Sequence, residues 1–374
     1  GFLVGATSAT PTVSITGNFV TSQFTNLSTT GAGNFIAIGC ASGAPTTGST
    51  TITNNNLSNI TYRTTTSLGG AIYWVNGTGA ACTHSITISN NVISNVVNNG
   101  TATTAAQYGI TAGAGYLNVI ANNTITGIYG KAQVIGLLTN TVSPNAAGSF
   151  SVYGNTVYNV STSSATSQAQ GIQCAAGPAQ NIYKNKIYDI TCTGAGVVIG
   201  LLESNAAAGT TANIYNNTIG RLYANNSNFF QSIRGIATAS TVANTANVYY
   251  NTVYIDGNVP VQSYCFYHGS ATPTVNLRNN IFINNAVSAG GYEQMALFFT
   301  GTPGASYAST SDNNILYAGT PGAQHLIYAD GAVSALTNSQ QTLASFQAFV
   351  TPREANSKTE LTSFLNTSTG INAS

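Results

Sequence analysis

Ile182-Tyr183-Lys184-Asn185-Lys186-Ile187 and, 32 residues later, Ile214-Tyr215-Asn216-Asn217-Thr218-Ile219 carry the pattern that decides the fold. In both, an apolar residue stands three places before an Asn and another two places after it. A third apolar residue follows three places further on, Ile190 and Leu222. Toward the N-terminus the same block recurs around Asn155, Asn123, Asn91 and Asn55, and toward the C-terminus around Asn251. Weaker copies centre on Asn18, Asn280 and Asn313, and the Asn-to-Asn spacings are 37, 36, 32, 32, 30, 32, 34, 29 and 33 residues. Self-similarity at a period of this size marks a repeat architecture.

A second block falls between the Asn blocks: Tyr108-Gly-Ile110, Ile135-Gly-Leu137, Gln170-Gly-Ile172, Ile199-Gly-Leu201 and Arg234-Gly-Ile236. Each repeat therefore holds at least two short strands, and none holds a helical period. A propeller blade needs about 40 residues and four antiparallel strands. An ankyrin or tetratricopeptide array needs helices, which this Asn, Thr and Gly content disfavours. The expected fold is all-β: a right-handed parallel β-helix of about ten coils with repeats of roughly 32 residues. Residues 1–318 form the repeats and residues 319–374 a last coil and cap. Within that tail, Leu343, Phe346 and Val350 fall on one face of a short helix, suited to cover the open end of a stack.

The recurring Asn has a physical reason. Asn55, Asn91, Asn123, Asn155, Asn185, Asn217, Asn251 and Asn280 are expected to turn inward at a coil corner. Each then bonds its equivalents in neighbouring coils at the strand spacing of about 4.8 Å, which satisfies amides that would otherwise be buried unpaired. Asn also tolerates the left-handed backbone of a sharp corner.

Composition narrows the function. Only 5% of the 374 residues are charged, and nine basic against eight acidic residues give a net charge of +1. Nucleic-acid binding needs clustered Lys and Arg, so no nucleic-acid partner is expected. No apolar run approaches the ~20 residues of a membrane span. Five cysteines, Cys40, Cys82, Cys174, Cys192 and Cys265, lack the spacing of a metal or redox motif. Cys40 with Cys82 and Cys174 with Cys192 are candidate bridges between turns, with buried free thiols as the alternative. His84, His268 and His325 are far apart and read as structural. The chain starts at Gly1 and reads as a mature or excised form.

Catalytic signatures are missing from the sequence: there is no HExxH, Walker loop or GxSxG. Glycosidases need paired carboxylates. The body offers Asp189, Glu203, Asp256, Glu293 and Asp312, no two of them in phase on adjacent coils. Asp189 and Arg221 do share a phase and are expected to pair. A site built from Asp189, Arg221 and Asp256 is the minor alternative. Tyrosine gives the better signal. Tyr153, Tyr183, Tyr215 and Tyr249 should stack on four consecutive coils, with Arg278 next in line. Tyr158, Tyr188 and Tyr254 form a broken second stripe. Both stripes alternate with inward residues and should face out, as sheet stabilisers or as contacts for a sugar or a protein partner. Thr-rich triplets such as Thr64–Thr66 hint at ice binding but do not recur on every coil.

With its closing motifs Asn279-Asn-Ile-Phe-Ile-Asn284, Asp312-Asn-Asn-Ile-Leu-Tyr317, Thr342-Leu-Ala-Ser-Phe-Gln347 and Glu354-Ala-Asn-Ser357, nearly the whole chain resembles the β-helix regions of large secreted surface proteins of Bacteroidota. The resemblance implies an extracellular location, type IX-type secretion and an adhesive role. The expected function is thus a non-catalytic extracellular scaffold, adhesin segment or filament subunit, without cofactor or metal. Its expected partners are further copies of itself or another cell-surface protein. A glycan-binding or polysaccharide-degrading β-helix is the alternative.

Overall fold

The computed structural model describes residues 2–364 except 7–11, 22, 27–33, 43–47, 65–70, 79–84, 100–104, 114–116, 140–147, 176, 178, 206–207 and 225–232. Cys82, His84 and the Thr65–Thr66 pair lie outside the described residues. Each repeat supplies three strands, for example Leu117–Ala121, Thr124–Gly130 and Val134–Thr139. The Asn block spans a corner and so contributes two of the three. Like strands of successive repeats pair in parallel into a first sheet of 9 strands, a second of 11 and a third of 12. The chain is a parallel β-solenoid.

Alternation makes the core. In the first sheet, strands such as Ser149–Tyr153 and Thr211–Tyr215 bury every second residue. Ile182, Ile187 and Ile190 of one repeat meet Ile214, Ile219 and Leu222 of the next in register, all essentially inaccessible to solvent. Burying each such side chain contributes roughly 2–3 kcal/mol.

Two corners per coil use left-handed backbone, and neither places it on the ladder Asn. The residue before the ladder Asn takes it instead: Asn54, Asn90, Asn122, Lys184, Asn216, Tyr250, Asn279 and Asn313, with Gly17 and Gly154 in the same place. The expected left-handed ladder residue is corrected by one position, and the last ladder residue is accordingly Asn314 rather than Asn313. The second corner falls four residues after the ladder Asn, at Asn59, Asn95, Gly127, Asn159, Asp189 and Arg221. This extra residue, skipped in the strand register, acts as a bulge. It explains why the third apolar residue of the motif comes three places after the second instead of two.

The Gly block has its reason in the third sheet. A Cβ on Gly171 would lie 2.3 Å from Ile187 Cγ2 and 2.6 Å from the Gly200 carbonyl oxygen. Gly136, Gly200 and Gly235 are hemmed in the same way by the next coil's backbone. In these coils a residue without a side chain lets this sheet approach the second; Trp74, Cys265 and Ala296 hold the same register position in other coils. The third sheet is also covered on its outer face. Strands Val198–Glu203 and Gln294–Phe299 are buried throughout, and Ile199, Leu202, Tyr264, Tyr267, Met295 and Phe298 form a separate outer cluster.

The C-terminal end departs from the repeat. Strand His325–Ala332 pairs antiparallel with Ala335–Gln340. Helix Leu343–Val350 follows, capped by the Thr342 side chain accepting from the Ser345 N–H. Its buried face is Leu343, Phe346 and Val350, as the sequence predicts, and Phe346 stacks on Tyr328 at 4.7 Å.

Candidate functional surfaces

The inner ladder is continuous from Asn18 to Asn314. Asn155 illustrates each step: its backbone N–H and its Nδ2 both donate to Asn185 Oδ1, at 3.1 and 3.0 Å, and Nδ2 also donates to the Ile120 carbonyl one coil back. The same arrangement joins Asn55, Asn91, Asn123, Asn185, Asn217, Asn251 and Asn280 to their successors. Every amide donates toward the C-terminus, so the last one needs a pure acceptor. Glu354 supplies it: Asn314 Nδ2 donates to both carboxylate oxygens at 3.0 and 3.1 Å. Tyr307 Oη and Ser357 Oγ donate to the same carboxylate, and Ser357 Oγ accepts from the Asn314 N–H at 2.8 Å. Burial raises the Glu354 carboxyl above its usual range, against the pull of these donors.

On the outside of the first sheet three of the four tyrosines expected to stack do so, and Tyr249 follows them in register without a ring contact to Tyr215. Tyr153, Tyr183 and Tyr215 stack at 4.9 and 4.8 Å with interplanar angles of 11° and 2°. Tyr249 is in register with Tyr215, and Arg278 with Tyr249. Beside them runs a row the sequence reading missed. Asn213 Nδ2 donates to Asn181 Oδ1 and Asn247 Nδ2 to Asn213 Oδ1, while Tyr249 Oη bridges Asn276 and Asn247. Its signal was the Asn two places before each Tyr in Asn181, Asn213 and Asn247. Nearer the N-terminus the same face carries only hydroxyls: Thr12, Ser14, Thr16, Ser49, Thr51, Thr53, Ser85, Thr87 and Ser89. Arg278 is the one charge among the strand residues of this sheet. In the second stripe Tyr158 stacks on Tyr188 at 4.8 Å. Gly220 separates Tyr188 from Tyr254 in the register, so that stripe is broken where the spacing says it is.

Face-to-face stacking has a chemical consequence. Both faces of Tyr183 are covered by its neighbours, which leaves ring edges and hydroxyls outward. A sugar stacks on an open ring face, and this stripe offers none between Tyr153 and Tyr215.

Ionisable groups are mostly held by structural partners. Arg221 Nε donates to Asp189 Oδ1 at 2.5 Å, the pair expected from their shared phase. Gln262 donates to Glu293, Asn356 to Asp312 and Asn338 to Asp330. Inside the third sheet one column reads Thr139, Cys174, Glu203, Thr238, His268. All five are buried, and Thr238 Oγ1 lies 2.8 Å from His268 Nδ1. Burial pushes the Cys174 thiol up to about 12 and Glu203 up to about 7, the latter against the Asn205 N–H it accepts, and holds His268 down to about 4. Cys174 and Cys192 are free thiols on different sheets, so the bridge between them is corrected. The Cys40–Cys82 pairing falls on a residue outside the described set. No group of His, Cys, Asp or Glu among the described residues is arranged to hold a metal, and none of their helices is long and apolar enough to cross a membrane.

Comparison with known protein families, curated proteins and solved structures finds no match to this chain.

Proposed function

We propose that this chain is a non-catalytic structural rod of an extracellular or cell-surface assembly, associating laterally through the outer face of its first sheet with further copies or with another surface protein. The carrying observation is that face itself: nine in-register strands whose outward residues are Ser, Thr, Asn and Tyr, apart from Leu117, Val119 and Ala121 on one strand, Ala179 on another and the single charge of Arg278. A flat sheet face without charges opposes association weakly, and side chains at strand spacing interdigitate with a second such face. Tyrosine edges and hydroxyls add both apolar contact and directional hydrogen bonds. The carboxylates tied up by Arg221, Gln262, Asn338, Asn356 and Asn314 support a structural rather than a catalytic use.

Electron microscopy of material isolated from its source tests this reading. Filaments or a lattice with this chain as the repeating unit support it, and Tyr183→Lys with Tyr215→Lys should then dissolve the array. Dispersed single rods at high concentration overturn it.

A further inference from the structure

A different face holds a feature that lateral association does not use. On the outside of the second sheet, Tyr129, Ser161, Thr191 and Tyr223 occupy one register column over four successive coils. Beside it runs the bulge column Asn159, Asp189 and Arg221. Between the two columns lies a trough of about 250 Å³ lined by Tyr129, Asn159, Ser161, Asp189, Thr191 and Arg221. From the coil of Tyr129 to that of Arg221 it spans three strand steps, about 14 Å, and Tyr223 stands beyond it, lining a separate hollow.

The trough has ends as well as walls. At Tyr129 the bulge column carries Gly127, which has no side chain to fill the space. Past Arg221 the bulge column stops: the next coil has buried Ile255 in its place, and strand Thr252–Val259 runs straight on. Register between the two coils is lost after Gly220–Tyr254. Asp256, Gly257, Asn258 and Pro260 then stand against Tyr223 around a second hollow of about 170 Å³. The regular coil surface is thus interrupted here, where Ile255 turns into the core in place of a left-handed surface residue.

We infer that this trough binds a neutral oligosaccharide. Tyr129 is 42% exposed, and neither it nor Tyr223 stacks on another ring among the described residues, unlike Tyr183. They flank a floor of two hydroxyls. A sugar ring laid on Tyr129 exposes its equatorial hydroxyls to Ser161 and Thr191 and to the wall, where Asp189 and Asn159 accept and Arg221 donates. Charge selects against the alternatives. Arg221 is neutralised by Asp189 at 2.5 Å, and Asp256 adds a carboxylate within range of the same guanidinium. An anionic ligand meets two carboxylates and a cationic one meets the Arg. A neutral polyol meets donors and acceptors only.

Saturation-transfer NMR on the full chain tests this with a panel of neutral hexaoses (β-1,3-, β-1,4- and α-1,4-linked glucose, β-1,4-linked mannose) and a hexauronate. The expected result is saturable transfer from at least one neutral hexaose, weakened tenfold or more by Tyr129→Ala and by Arg221→Ala. Tyr183→Ala should leave binding unchanged, and the exposed Tyr129 site should leave the melting temperature of Tyr129→Ala at the parent value. Absence of saturable binding by every neutral hexaose, binding indifferent to Tyr129→Ala, or preference for the hexauronate would each overturn the inference. None of these outcomes bears on the lateral array, which microscopy reads separately.

Discussion

The coils between Ser85 and Ala224 and those from Thr252 onward solve the same packing problem in different ways. In the body, each coil repeats a fixed vocabulary: Asn at one corner, a left-handed residue at the next, Gly where the third sheet closes on the second, Ile or Val inside. In the final coils the second bulge is gone and the Gly position becomes Cys265, then Ala296. The core enlarges to Phe266, Phe282, Phe299, Tyr307, Tyr328 and Phe346. The body can extend because every coil leaves the next one a matching surface. By the same logic it cannot stop. Ending requires residues outside that vocabulary, and Glu354 is the clearest of them.

The largest expected effect tests the ending. Glu354→Ala strips the acceptor from Asn314, Tyr307 and Ser357 in a buried site and should cost about 4 kcal/mol in chemical denaturation, with Glu354→Gln recovering part. Within the body, Asn185→Ala removes the acceptor shared by the Asn155 N–H and Nδ2 and the side-chain donor to the Val152 carbonyl, at a cost of about 3 kcal/mol. If it costs less than 1 kcal/mol, the ladder is ornament and the comparison fails. Gly171→Ala should destabilise by about 2 kcal/mol through its contacts with Ile187 and Gly200. Cys265→Ala, at the equivalent place in the enlarged end, should cause no such clash.

A smaller effect is visible only against pH. Glu203, raised to about 7, adds stability in acid that is lost as pH rises toward 7. His268, lowered to about 4, adds stability near neutrality that is lost as pH falls from about 6.5 to 4. The two slopes oppose each other over pH 4.5–6.5. Denaturant midpoints at pH 5 and 7 should therefore differ little in the parent. Glu203→Gln should make the protein weaker at pH 5 than at 7, and His268→Phe should reverse that order, each by roughly 1 kcal/mol or more. Smallest of all, Tyr183→Ala on the outer stripe should cost about 0.5 kcal/mol.

Much of this was legible in the chain. Asn185 and Asn217 with their flanking Ile residues announce both the coil and the inner ladder, and shared phase alone places Asp189 beside Arg221 and Tyr183 beside Tyr215. Other features were hidden for definable reasons. The left-handed site lies one residue before the ladder Asn, and since that residue is often a second Asn, composition does not tell the two apart. Glu354 lies 40 residues beyond Asn314, so no periodicity links them. The trough depends on Gly127 and Ile255, two departures from the pattern, and a search for repetition passes over what does not repeat.

The one-way run of amide bonds from Asn18 to Glu354 also has a mechanical meaning. Load applied along the axis falls on hydrogen bonds that point along it and is carried by every coil at once, so an end coil, held by a neighbour on one side only, yields first. A rod built this way should lengthen in steps under tension, each releasing one repeat of about 32 residues, or about 110 Å of extended chain. It would behave as a shock absorber that gives way from an end while the remaining coils keep their shape.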